Sequence, residues 1–66
     1  MTYRVEVHNG QAWVNGIRFN ENSRVPEFCS MARANRLSLA GARQLRDQAI
    51  RLCGGTLRVK KVPANA

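Results

Sequence analysis

Arginine dominates the groups in this chain that could do chemistry. After Phe28 the cations are Arg33, Arg36, Arg43, Arg46, Arg51, Arg58, Lys60 and Lys61, and Asp47 is the only acid among them. Before them, Arg4, Arg18 and Arg24 are matched by Glu6, Glu21 and Glu27. The net charge of +7 on 66 residues therefore belongs to the second half alone. A guanidinium is a planar fork that suits phosphate and guanine edges better than the point charge of lysine. Neutralising several phosphates releases condensed counterions and gives affinity without any sequence motif. These eight cations are the candidate binding residues. The expected partner is nucleic acid, duplex DNA first, or an acidic or nucleoprotein surface. The competing reading of the same charge is a solvated face that aids solubility.

The remaining reactive side chains do not assemble into a catalytic set. His8 is the only histidine and alternates onto the polar face of a strand pattern. A Cys–His nucleophile built from Cys29 or Cys53 with His8 needs a third group to orient the base, and none stands out. The four acids are scattered, so no acid–base pair is offered. Structural zinc takes four ligands, and two cysteines with one histidine fall short at no ligand-like spacing. Gly54-Gly55 ends a helix pattern, whereas phosphate cradles open one. The expectation is a non-enzymatic binding protein with no cofactor and no metal, whose two thiols stay reduced and pack as small hydrophobes.

The elements that must carry these residues follow from periodicity. Tyr3-Arg4-Val5-Glu6-Val7-His8 alternates apolar and polar residues, as a strand with one wet face does. Asn9-Gly10 is a hairpin turn signal, Gln11–Val14 reads as a second strand, Asn15-Gly16 repeats the turn signal, and Ile17-Arg18-Phe19 reads as a third. One of the two turns is alternatively a bulge or loop. Residues 20–24 read as a loop. Pro26 suits the first turn of a helix, with Phe28, Met31 and Ala32 on one side; an extended segment over 28–32 is the alternative. The main helix spans about 38–53. Ser38 is its N-cap, and Leu39, Ala42, Leu45, Ala49, Ile50, Leu52 and Cys53 share an arc of roughly 160°. Arg43 and Asp47 stand four apart and can pair, and Gly54 stops the helix. Thr56–Val62 is the last strand, with Lys61 in the apolar register, as befits a sheet edge. Pro63–Ala66 reads as a tail.

Part of this pattern resembles a helix-turn-helix, over less than a third of the chain. Ala32, Leu37, Ser38, Ala42 and Leu45 stand at compatible positions between Met31 and Leu45. Arg36 replaces the usual turn glycine, Asn35 holds an expected apolar position, and Gly41 sits in the first turn of the second helix. The resemblance implies that Leu39, Ala40 and Arg43 face a DNA groove, with Gln44 and Arg46 near phosphates or bases. The C-terminal strand would then serve as the wing of a winged-helix-like fold, with Arg58 and Lys60 at the backbone or minor groove.

Length bounds the rest. A chain of this size supports one small core and no deep multi-residue pocket, so the expectation is an α+β fold in one domain, 1–66. No apolar run approaches a membrane span, and Met1-Thr2-Tyr3-Arg4 lacks the apolar centre of a signal peptide, so a cytoplasmic location is expected. A marginal core with free strand edges favours pairing across a two-fold axis, which makes a homodimer one expectation. In size and composition the chain also resembles the small accessory proteins of phages and mobile elements. That resemblance implies an alternative function, inhibition or adaptation by protein–protein binding, as anti-CRISPR proteins block host nucleases.

Overall fold

The computed structural model describes residues 2–63, so the proposed tail beyond Pro63 lies outside the described residues. The chain forms β1 (Thr2–His8), β2 (Trp13–Asn20), β3 (Val25–Cys29), a single 3-10 turn (Met31–Arg33), α1 (Leu39–Cys53) and β4 (Thr56–Val62). The four strands make one antiparallel sheet in the order β3-β2-β1-β4. The fold is α+β, with the N-terminal hairpin, the main helix and the C-terminal strand where the sequence pattern puts them.

Strand order explains the helix. β3 and β4 occupy opposite sheet edges, about 14 Å apart at three strand spacings. Residues 30–37 carry the chain from β3 to β1, where Leu37 pairs with Tyr3, and the 15-residue helix, about 22 Å long, then runs over the sheet to the start of β4 beside His8. Its start is set by Ser38, whose Oγ accepts from the Gly41 N–H at 3.1 Å. Its end is set by Gly54, whose N–H closes the last turn on the Ile50 carbonyl at 2.9 Å and whose positive φ of 69° turns the following chain out of the helix. Ala42, Leu45 and Ala49 face the sheet and meet Val5 and Ile17, with Tyr3, Val7, Phe19, Leu37, Leu57 and Val59 around them. Two alanines on the contact stripe bring the helix close to the strands. The buried stripe is narrower than the apolar arc of the sequence: Ile50, Leu52 and Cys53 are exposed. Asp47 pairs with Arg46 rather than with Arg43.

The hairpin differs from its sequence reading in an informative way. Asn9–Ala12 is the loop: the Asn9 side chain accepts from the Gln11 and Ala12 N–H groups, both at 2.9 Å. The second strand therefore starts at Trp13, and Asn15-Gly16 is no turn but lies inside β2. Gly16 is glycine because of close approach. A Cβ there would stand 2.5 Å from the Ala34 Cβ and 3.3 Å from the Ser30 carbonyl oxygen. The extended alternative for 28–32 holds at Phe28 and Cys29 and stops before the 3-10 turn: Val25–Cys29 zips onto β2 as an edge strand, a place where Pro26 is tolerated. The first helix reduces to one 3-10 turn.

Residues 34–37 then fill a fork in the sheet. β1 and β2 pair only between Glu6–His8 and Trp13–Gly16. Beyond that, Asn35 bonds β2 twice, its N–H donating to the Ile17 carbonyl and its Oδ1 accepting from the Phe19 N–H at 2.6 Å. Leu37 bonds β1 twice, exchanging N–H and carbonyl bonds with Tyr3 at 2.8 Å each. Met31–Leu45 thus contains no pair of packed helices, and the helix-turn-helix and winged-helix arrangements are not formed. Asn35 occupies the expected apolar position because β2 needs its amide oxygen. Replacing Asn35 with Leu leaves the Phe19 N–H without its partner and is expected to cost about 1–3 kcal/mol in urea unfolding. An unchanged or raised stability would fit the two-helix arrangement and contradict the fork.

Candidate functional site

The helix covers one face of the sheet, and strand alternation sends the other set of side chains to the opposite face. Cross-strand partners point the same way, so the pairs Glu6–Arg58 and Arg4–Lys60 of β1 and β4 share that second face. At its centre Glu6 is only 2% exposed. Its Oε2 accepts from Arg4 Nε at 2.8 Å. Its Oε1 accepts from Arg58 Nε at 2.9 Å and Nη2 at 2.7 Å. Burial pushes the Glu6 carboxyl up, but the hydrogen bonds and charges of Arg58 and Arg4 outweigh this and hold it below the usual carboxylate range.

Arg58 has a second partner. Its guanidinium lies 4.0 Å from the centroid of the Trp13 ring, a cation–π distance. His8 meets the same indole edge-on, with centroids 4.9 Å apart and planes at 70°. The His8 ring is itself oriented, because Nδ1 accepts from the Gly10 N–H at 3.1 Å. The result is a connected surface unit of Arg4, Glu6, Arg58, Trp13 and His8. Arg58 and Trp13 stay partly open to solvent.

Beside this unit, at the start of β1 and the end of β4, lies an open cleft of about 1080 Å³. Arg36, Lys60 and Lys61 line it, with Tyr3, Val62 and Pro63. Three of the candidate cations therefore meet around one cleft, and Arg58 sits two residues along the same strand. Among the acids, only Glu6 lies on β1 or β4. The other candidates are elsewhere. Arg33 is exposed on the 3-10 turn. Arg43 and Arg51 are exposed on α1, and Arg51 projects away from the Ala42–Leu45–Ala49 stripe and so from the sheet. Arg46 is held by Asp47, Nε to Oδ1 at 3.1 Å. Arg58 and Lys60 thus lie on the side of the two-layer slab away from the helical arginines, Lys61 alternates to the helix side at the β4 edge, and the sequence candidates do not form one helical face.

The thiols stand apart from this surface unit. Cys53 is exposed and Cys29 half-buried, and both are free. Cys53 thus departs from the expected buried thiol. Burial pushes the Cys29 thiol up, against the lowering charge of Arg18, which reduces its thiolate fraction and its reactivity. Among the described residues, no three His, Cys, Asp or Glu side chains are grouped to hold a metal, and no helix is long and apolar enough to cross a membrane. No family model, no curated protein and no solved structure matches this chain.

Sequence reasoning missed Arg4, Glu6, His8 and Trp13 as a unit. The alternation of β1 placed Arg4, Glu6 and His8 on one face. The missing information was the β1–β4 register, which sets Arg58 opposite Glu6 across 52 positions of sequence. Because its folded pKa is lowered, Glu6 stabilises the fold above the unfolded carboxylate range and loses that contribution as pH falls through the folded value. Replacing Glu6 with Gln is expected to cost about 1–3 kcal/mol at neutral pH, the scale of hydrogen bonds to charged groups. The two proteins should converge in stability as the pH falls through the lowered range in which the folded Glu6 carboxylate takes up its proton. Urea unfolding across pH measures this, and parallel pH profiles would contradict it.

Proposed function

We propose that the protein is a non-enzymatic nucleic-acid-binding module that grips the phosphate backbone with its β1–β4 half. The observation that supports this is the gathering of Arg4, Arg58 and Lys60 on the β1–β4 part of the sheet face away from the helix, next to a cleft lined by Arg36, Lys60 and Lys61. One buried carboxylate offsets part of this charge, and the surplus faces solvent. Such a surface attracts polyanions at a rate and affinity set by ionic strength. The helical arginines contribute long-range attraction and stand outside the contact. Self-pairing through β4 would bring Arg58, Lys60 and Lys61 of two copies together, and like charges opposite one another are destabilising; the edge suits an anionic partner better than a second copy.

The protein-binding alternative draws on a different surface. Phe28 on β3 is 58% exposed and Leu52 on α1 is 57% exposed, and exposed apolar side chains of this size favour protein contact where they cluster. The charge reading accounts for more of the molecule.

Fluorescence anisotropy with a labelled oligonucleotide across salt concentrations tests the phosphate grip. Each phosphate contact contributes roughly 0.7–0.9 to the slope of log affinity against log salt. Replacing Lys60 and Lys61 together with Gln is expected to reduce that slope by about 1.4–1.8, two contacts on the same scale. Replacing Arg43 and Arg51 with Gln removes the same charge and is expected to leave the slope nearly unchanged. Equal effects of the two pairs, or no binding at about 50 mM salt where phosphate contacts are strong, would overturn the proposal.

A further inference from the structure

The geometry points to an unpaired nucleobase as the group that Trp13 and Arg58 take, which makes the partner single-stranded nucleic acid. This rests on the phosphate grip proposed above and names what lies between the phosphates. Trp13 is the only tryptophan. It stands on the sheet face away from the helix, half-exposed, outside the core formed by Val5, Ile17, Ala42, Leu45 and Ala49. Its ring partners there are a guanidinium over its face and an imidazole inclined at 70° to it. A tryptophan whose role was to fill the core would be buried by apolar neighbours instead.

The arginine beside it is held in place. Both Nε and Nη2 of Arg58 are taken by one oxygen of Glu6, which holds the guanidinium over the indole with Cζ 4.0 Å from the ring centroid. Glu6 is fixed in turn by Arg4. About 38% of the Arg58 side chain remains accessible. Indole and guanidinium planes are the two side-chain surfaces on which unstacked bases lie. The unit thus offers an electropositive platform whose guanidinium is held by Glu6 before any ligand arrives. Lys60 and Arg4 form the next cross-strand row on the same sheet face, both on the side away from Trp13, where they can take the phosphate that follows a stacked base. In a duplex the base faces are already stacked on one another, so the platform has nothing to receive and only the phosphate contacts remain.

Trp13 fluorescence reads the site directly, because no other tryptophan contributes. Titration with a short oligothymidylate at low salt is expected to quench Trp13, and the same length of duplex is expected to bind without comparable quenching. Replacing Arg58 with Lys keeps the charge beside Glu6 and removes the planar surface. It is expected to lower single-strand affinity by about fivefold or more, the low end for one stacked base, with the salt slope unchanged. Replacing Trp13 with Leu should do the same, and circular dichroism checks its fold; Arg58→Lys carries the test where Trp13→Leu does not fold. Binding of both oligonucleotides with no quenching and no effect of Arg58→Lys would overturn the base platform while the phosphate grip stands. Absence of binding to either would overturn both.

Discussion

A carboxylate almost out of reach of water governs one side of this molecule. Keeping Glu6 ionised there costs several kcal/mol in desolvation, which only close cationic hydrogen-bond donors offset. Arg4 supplies one from two positions away on β1, and Arg58 supplies two more from the facing position on β4. This ties the last strand to the first in one register. A slip of one residue would turn Arg58 toward the helix and leave Glu6 with one of its three donors. Once the register is set, Lys60 must fall beside Arg4, and Arg58 must lie over Trp13. The arrangement of the surface cations is therefore a consequence of satisfying one buried anion.

The other face of the sheet answers to a different constraint, the packing of α1 as it runs from the first residues of β1 to the start of β4. Its contact stripe is rich in alanine, which keeps the helix close and gives the short chain a tight core. The core is small, and apolar residues beyond the stripe stay exposed. The fork between β1 and β2 links the two sides. Residues 34–37 satisfy both parted strands, and Arg36 lies between the two residues that make those bonds. The backbone that completes the sheet thereby delivers a cation to the cleft at its end.

Much of the fold was legible in the sequence. The alternation of β1, the Ser38 cap, the Gly54 stop and the Leu57–Val59 alternation of β4 are local signals, and local signals survive folding. The misread positions are those where a distant contact overrides the local preference. Asn15-Gly16 has the composition of a turn, yet Gly16 exists to let Ala34 pass. Pro26 is compatible with a helix start and with an edge strand, and pairing with β2 decides between them. Asn35 looked like a defect in a two-helix pattern and is a hydrogen-bond acceptor for β2. The site was legible only as a class: charge segregation pointed to a polyanion, but it also pointed to the helix. The ion pair between Glu6 and Arg58 joins residues 52 positions apart, and no periodicity within either strand announces it.

A two-dimensional ¹H–¹⁵N NMR titration with a short single-stranded oligonucleotide at low salt tests most directly where the binding surface lies. Shifts are expected at the Trp13 indole N–H and at Arg4, Arg58, Lys60 and Lys61, with Arg43 and Arg51 essentially unmoved. Shifts centred on α1, with Trp13 and β4 unmoved, would contradict the placement of the binding surface on the β1–β4 half of the sheet.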